Sequence, residues 1–583
     1  MHHPPPPGTS LEALEPPARA RPSWLVDAGC LALLLVTSWK LLHGLEHGVD
    51  LAMWDEADYL RRGLTLSWSH LPAAEWGPLY SLWYTALSRL WPEPVALHYA
   101  NLQVLCVLTT VGAYVFMRRM GARPLLALLG AAVYLLSAAP HVPPRPTLLA
   151  LLVLEAALVV ASFLESKEEF WAVIATGLLV ASFARPEFFL AFLLASALFL
   201  GWLVRGAVRE RHTWRGRTGA VATGFTLGVV LLLQGLGNPF GDTKNRRFYA
   251  FCQHFAYQHV RHNPSPVDPW NQCPRVIRSV FGEVDSVGAA LRANPKAFLW
   301  HVGTNVKAFA DASLSLFAQG PGGLSATRGP WDLARVERVL LLAALGALGL
   351  GLLWRWRRWR STLAEPRLQR MLWVLAVVEV PTVLSSLLLM PRAHYLIIQG
   401  VFVLALLMLL GSQVGVAAVP RRVQGAVGGL LTLGLALLTP NLAERLSTET
   451  GGAPARQVHL QRVRAIEALG LVERLPPGEQ LPLLEAEGGY DAYLGPRSYY
   501  PVLHYTPGVT FDALLREHKV AAILLTDALR RYPRFRDDPL FRSFLANPED
   551  FGFTLFPLAA RGEALALLSP EHVEPSRTGL GRR

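Results

Sequence analysis

Apolar runs too long and too bare of charge for a water-soluble core recur along the chain. Leu125–Leu136 and Leu396–Leu410 hold no charged residue, and Leu148–Leu164 holds only Glu155. A helix on a soluble domain keeps a polar face, whereas one that is apolar all round is buried in protein or in lipid. Composition agrees: of 583 residues, 52% are hydrophobic and 17% charged, against roughly a quarter charged in soluble domains. The sequence predicts an α-helical polytopic membrane protein.

A net charge of +12 raises nucleic acid as a partner, but its distribution argues against that. Lysines number only six, and the arginines cluster in short segments between apolar runs. The basic stretch interleaved with aromatics, Trp354–Arg360, falls at a helix end. There tryptophan at headgroup depth and arginine among lipid phosphates serve as interfacial anchors.

At about 20 residues per helix, eleven spans are expected, near 24–42, 98–117, 124–140, 147–164, 170–184, 187–204, 218–237, 336–354, 371–390, 395–412 and 423–440. Residues 1–23 are proline-rich and are expected to form a disordered tail. The span at 24–42 follows Arg19 and Arg21 and has no small-residue cleavage site after it, so it reads as an uncleaved anchor. Arg118–Arg123, Arg205–Arg217, Arg355–Arg370 and Arg421–Arg422 together hold sixteen arginines and fall between alternate pairs of spans. The short loops of opposite parity hold Arg145, Arg185 and Arg392. By the positive-inside rule the N-terminus is cytoplasmic, in a plasma (inner) membrane protein whose loops 43–97 and 238–335 and tail 441–583 face outward. The tail is expected to be a small extracytoplasmic α/β domain, with a helix at Phe511–His518 and strands at Lys519–Thr526 and Ala564–Leu568. Cys252 and Cys273 share an outside loop, where a disulfide and two free thiols are both allowed. No cysteine–histidine spacing of a metal site occurs.

The first outside loop opens with Trp54-Asp55-Glu56-Ala57-Asp58-Tyr59. Adjacent helical residues diverge, so Asp55 cannot face Glu56, but it can pair with Asp58 or Tyr59. On spacing alone the cluster reads as a solvated helix start, where acids complement the dipole. Next comes Glu75-Trp76-Gly77-Pro78-Leu79-Tyr80, a turn entering an aromatic amphipathic stretch suited to lying along the membrane surface. Short outside loops add His141 and Arg145, then Arg185-Pro186-Glu187, then Pro391-Arg392-Ala393-His394-Tyr395. The arginine count puts all of these on one face. A carboxylate, arginines, a histidine and a tyrosine at a membrane surface suit an anionic lipid headgroup, because guanidinium offers a planar fork matched to phosphate oxygens. For Arg145 the favoured reading is snorkelling to lipid phosphate; for Arg392, beside His394 and Tyr395, it is the site. Glu155 and Glu379 lie near mid-span, where an ionisable group is either functional or a protonated acid bonded to a neighbouring helix.

The order of these motifs resembles the GT-C superfamily of integral-membrane glycosyltransferases. The nearest branch holds the protein O-mannosyltransferases and the lipid A aminoarabinose transferase. The resemblance covers about residues 24–440 as architecture and a few short motifs as sequence. It implies a polyprenyl-phosphate-linked sugar as donor, inversion at the anomeric carbon, and a lipid, glycan or protein acceptor. Carried onto this chain, Asp55 is the catalytic base, and Glu56, Asp58, Tyr59 and Tyr80 support the first loop. Arg392, His394, Tyr395 and Arg185 bind the donor phosphate. Members of the family often show Pro-Arg-Tyr directly, where Ala393-His394 intervene here. No cofactor is required. A divalent metal on Asp55, Glu56 and Asp58 oxygens is the alternative.

Two other classes compete. A transporter would use Glu155 and Glu379 as a midplane relay, with a helix broken at Pro381. A non-catalytic membrane scaffold would need the acidic motif only as a helix cap.

Overall fold

A computed structural model describes residues 23–48, 55–67, 71–141, 144–209, 217–241, 245–318, 364–413, 421–444 and 452–568, the last without 488, 496, 500–509, 533–534, 536–537 and 559–561. The tail 1–22, Trp54, the expected span 336–354 and the anchor segment Trp354–Arg360 lie outside the described residues.

Every expected span within the described residues coincides with a helix. Five of these helices are long and apolar enough to cross a membrane: Trp24–Leu42, Pro94–Met120, Phe188–Val208, Thr218–Leu236 and Leu368–Leu388. Pro124–Leu136, Pro146–Ala161, Ile397–Ser412 and Gly425–Leu437 are apolar but shorter. Proline occupies the first turn of the helices starting at 78, 94, 124, 146 and 366. There its fixed φ suits the helix, and its missing N–H would have had no partner. Glu93 caps Pro94–Met120, the longest helix among the described residues, by accepting from the backbone N–H groups of Val95 at 2.9 Å and Ala96 at 2.6 Å. Small residues let helices close on one another: a Cβ at Gly177 would stand 2.5 Å from that of Ala157.

The 238–335 loop is itself helical in its described part. Helices Arg246–His262 and Cys273–Phe281 are joined by a Cys252–Cys273 disulfide with Cα atoms 5.5 Å apart. Phe251, Phe255 and Phe281 of this pair pack on Phe298 of the helix Pro295–Ala318, giving the loop its own core.

The C-terminal part is a five-stranded mixed sheet with helices, in the order β2-β1-β3-β5-β4. The strands are β1 Leu481–Leu484, β2 Ser498–Tyr499, β3 Ala522–Leu525, β4 Phe553–Pro557 and β5 Ala564–Leu568. β1 runs parallel to β2 and β3, whereas β5 runs antiparallel to β3 and β4, with Ala522 opposite Leu567. The expected strand at 519–526 is shorter because Lys519 adopts a left-handed φ of 48°, which breaks the extended run. The short helix Tyr490–Leu494 joins this sheet to the helical part, packing on Asp55–Leu64 and on Pro94–Met120, with Ala492 buried in the same core. A buried Arg462 fixes that helix, donating to the Tyr490 hydroxyl at 2.6 Å and pairing with Glu487 and Glu563.

Candidate functional site

The acidic motif starts a helix, Asp55–Leu64, and its three carboxylates go three ways. Asp55 is exposed in the first turn. Asp58 is held by its own helix, accepting from Arg61 at 2.7 Å and pairing with Arg62. Glu56, only 1% exposed, turns into the core. Its Oε1 accepts from the hydroxyls of Tyr80 at 2.6 Å and Tyr84 at 2.5 Å, and its Oε2 from the backbone N–H of Arg145 at 2.9 Å. Asn101 donates to both tyrosine oxygens, at 2.7 and 2.9 Å. A buried carboxylate with this many donors is a structural tie, since any one left unmade would be costly. Asp55 therefore has no facing partner in Asp58, and Asp55, Glu56 and Asp58 do not converge as metal ligands. Among the described residues no group of three or more acids, histidines or cysteines is placed to hold a metal ion.

Two expectations are corrected here. Arg145 does not snorkel to lipid: it is 5% exposed, its backbone is bonded to Glu56, and its guanidinium lies 3.7 Å from that carboxylate. Burial, the largest single effect, opposes its charge, but Glu56 together with Tyr84, Tyr80 and Cys106 raises its pKa. The amphipathic stretch is the helix Pro78–Ser88, whose Tyr80, Tyr84 and Leu87 face is buried against protein and so is not the face turned to lipid. Burial, and then the Glu56 carboxylate, hold the Tyr80 and Tyr84 hydroxyls well above their ordinary pKa, so both stay protonated donors.

Gly77 joins the first loop to the Arg185 turn. At φ 67° it adopts the left-handed conformation, and a Cβ there would stand 2.7 Å from the Ala184 carbonyl oxygen. Two residues on, the Leu79 N–H donates to the Phe183 carbonyl at 3.0 Å. Arg185, just beyond, donates through Nε and Nη2 to Glu187 at 2.8 and 2.6 Å, and Glu187 raises its pKa against the effect of burial. Its guanidinium lies 4.8 Å over the Tyr395 ring. Tyr395 and His394 are in contact, their ring centres 4.3 Å apart, in the turn after Arg392. Arg392 in turn stacks 5.2 Å over Trp270, which also meets His254 at 5.8 Å. Arg185, Arg392, His394 and Tyr395 are thus brought together as expected, with Trp270 and His254 of the 238–335 loop added.

Tyr59 links this group to the Glu56 tie, meeting Tyr80 edge-on at 5.2 Å. Burial raises its pKa, partly offset by three surrounding guanidinium groups, Arg246, Arg185 and Arg62, with Asp55 also acting on it. Arg62 and Arg246 both stack on Trp76, at 4.7 and 3.8 Å. A cationic floor therefore surrounds Tyr59 with exposed Asp55 at its edge. The histidines in it are neutral. Burial foremost, then Arg185, Arg392 and His254, hold His394 well below its ordinary pKa, and burial with Arg392 pushes His254 down to about 3.

Arg62, Arg246 and Trp270 escape sequence reasoning because no local pattern marks them. Stacking on aromatics brought from other loops recruits them.

Glu155 is 1% exposed and neither carboxylate oxygen has a hydrogen-bond partner, so it is not bonded to a neighbouring helix. It packs on Gly112, where a Cβ would stand 2.2 Å from its Oε2. Glu379 is half-buried.

In comparisons with known proteins, the chain matches no family model, no curated protein and no solved structure.

Proposed function

We propose that the chain is an eleven-span inverting glycosyltransferase that moves a sugar from a polyprenyl-phosphate donor to an acceptor on the extracytoplasmic face. The observation that carries this reading is the division of labour around Tyr59. Glu56 is locked into structure, Asp55 is exposed, and Arg62, Arg185 and Arg246 gather round the Tyr59 ring. Arginine forks on one side and a free carboxylate on the other suit a reaction that expels a phosphate while a hydroxyl or amine attacks.

In the proposed step the acceptor's lone pair attacks C1 of the sugar from the face opposite the phosphate. The C1–O bond to phosphate breaks, and its electron pair leaves with the lipid phosphate. The acceptor's proton passes to the Asp55 carboxylate. Arg185 and Arg392 hold the departing charge, and neutral His394 supplies hydrogen bonding without a second charge. The Asp55 side chain has water access for losing its proton after each turnover. No metal takes part in this version. The N-terminus is cytoplasmic and the C-terminal sheet domain covers the outer loops.

A second reading, transport, is favoured by Glu155, an unbonded carboxylate deep in the helical core. The deciding experiment compares wild type with Asp55→Asn and Glu155→Gln in lipid, using polyprenyl-phosphate sugars as donors. Transfer or slow donor hydrolysis that disappears only in Asp55→Asn, with donor binding retained, supports the transferase. Failure of every donor to bind overturns it, and substrate movement lost only in Glu155→Gln establishes the transporter.

A further inference from the structure

The helix Pro366–Leu388 ends where its sequence stops it. Pro391 has no N–H to reach back four residues to the Leu387 carbonyl, and its ring turns the preceding residue away from the helical conformation. The last carbonyls of a helix then need donors from elsewhere. Two buried side chains one turn apart on the helix Pro295–Ala318 supply them. Asn305 donates through Nδ2 to the carbonyls of Leu387 at 2.8 Å and Leu389 at 3.0 Å. The same Nδ2 stands 3.2 Å from His301 Nε2, but with both protons given to carbonyls it has none for that nitrogen. His301 Nε2 is therefore the protonated one and donates to the Leu388 carbonyl at 3.2 Å. The rings of Phe251 and Phe255, each centred 5.5 Å from the imidazole, pack around it. Three consecutive carbonyls are thus held by one His–Asn pair, and Arg392 follows three residues after the last of them.

The chain beyond Arg392 is tied to the same helix. Gln399 donates through Nε2 to the Ser313 hydroxyl at 3.0 Å. Between the two anchors the turn is closed by the Tyr395 N–H on the Arg392 carbonyl at 2.9 Å and the Leu396 N–H on the Ala393 carbonyl at 3.0 Å. Trp270, the ring under Arg392, hangs on this body as well. Gln253 donates to the Trp270 carbonyl at 3.0 Å, and Gln258 of the same helix, Arg246–His262, donates to the Asn305 Oδ1. One run of hydrogen bonds therefore links the carbonyls before Arg392 to the indole on which Arg392 stacks.

We propose that Asn305 and His301 are positioning residues of the donor-phosphate site, which set the stand of Arg392 over Trp270 by holding the carbonyl end of the helix before it. The proposal rests on the transferase reading, from which Arg392 takes its phosphate. Both residues act through Arg392 and not on the donor itself.

The full chain is assayed in lipid nanodiscs against donor concentration, and hydrogen exchange of the segment 389–397 is followed without donor. Asn305→Leu keeps the volume and removes both N–H donors. It is expected to raise the donor KM about tenfold while kcat changes less, and to speed exchange of the Tyr395 and Leu396 amides about tenfold. Combined with Arg392→Lys it adds nothing further to KM, because both act through one guanidinium. A merely structural role would lower the active fraction, and so kcat, with KM in place. Where Asn305→Leu does not fold, His301→Leu and His301→Gln decide: the glutamine amide replaces Nε2 as donor and restores the KM that leucine raises. An unchanged KM in Asn305→Leu, a KM effect that adds to that of Arg392→Lys, or equal KM in the two His301 variants overturns the proposal. Wild type that binds no donor overturns the transferase reading and this proposal with it, whereas any of those results with wild-type turnover intact removes this proposal alone.

Discussion

Glu56 and Arg145, 89 positions apart, are bonded through the Arg145 backbone N–H and the Glu56 Oε2 at 2.9 Å. This contact, with the two tyrosine hydroxyls on the other oxygen, separates the roles of two adjacent acids. Glu56→Gln is expected to replace an acceptor by a donor in a buried network and to cost about 2–4 kcal/mol of stability. Asp55→Asn, at an exposed position, should leave melting unchanged and lower kcat by about 10²–10⁴. Thermal melting and turnover measured on the same preparations check both. If Asp55→Asn melts as early as Glu56→Gln, the division fails.

Arg392 stacks on Trp270 and sits next to the His394–Tyr395 pair. A lysine there keeps the charge but loses the planar fork and the stack. Arg392→Lys is therefore expected to raise the donor KM about tenfold with a smaller effect on kcat, the pattern of lost ground-state binding. Steady-state kinetics against donor concentration test this, and a lysine variant with an unchanged KM would remove Arg392 from the phosphate site.

Acid should destabilise the fold through buried neutral histidines. Burial first, then Arg392 and His301, push His254 from 6.5 to about 3. Burial and Arg145 push His141 to about 4, against the opposing pull of the Leu135 carbonyl. The unfolded histidines take up protons near 6.5 and the folded ones do not, so the unfolded state binds more protons in this window. Stability is full above about pH 6.5 and falls as pH drops towards 4, by at most about 1.4 kcal/mol per pH unit for each histidine. Melting curves between about pH 7.5 and pH 4.5 read this slope, and His254→Gln should flatten it. A flat wild-type profile would contradict the assignment.

The Cys252–Cys273 bond closes 21 residues and holds together the loop that carries Arg246, His254 and Trp270. Replacing both cysteines by serine is expected to cost about 3 kcal/mol and to raise the donor KM, because Trp270 no longer stays under Arg392. Reductant should reproduce both effects in wild type and neither in the variant.

Much of the architecture is legible in the sequence because lipid-length apolar runs admit few alternatives. The strand Ala564–Leu568 is likewise marked by its own residues. β2 has two residues and the outer faces of β4 are exposed, so neither carries a hydrophobic pattern long enough to read. In the site, Asp55, Arg185 and Arg392 stand out by residue type and loop position. What spacing does not reveal is which neighbour faces inward. Asp55 and Glu56 look equivalent until Tyr80, Tyr84 and Asn101 choose Glu56. Arg145 looks like any interfacial arginine until its backbone is found on that carboxylate. Arg62 and Arg246 both stack on Trp76, and a stack between distant loops leaves no periodic trace.

Gly77 sets a condition on how such a site can change. Its close approach to Ala184 and the Leu79–Phe183 bond fasten the turn beside Arg185 to the helix that braces Glu56. The spacing between Asp55 and Arg185, the proton acceptor and phosphate holder of the proposed reaction, is therefore set largely by the backbone. In the proposed transferase, acceptor preference could then drift through the side chains between them while that spacing stays constant. A single added methyl at Gly77 would instead shift both halves together.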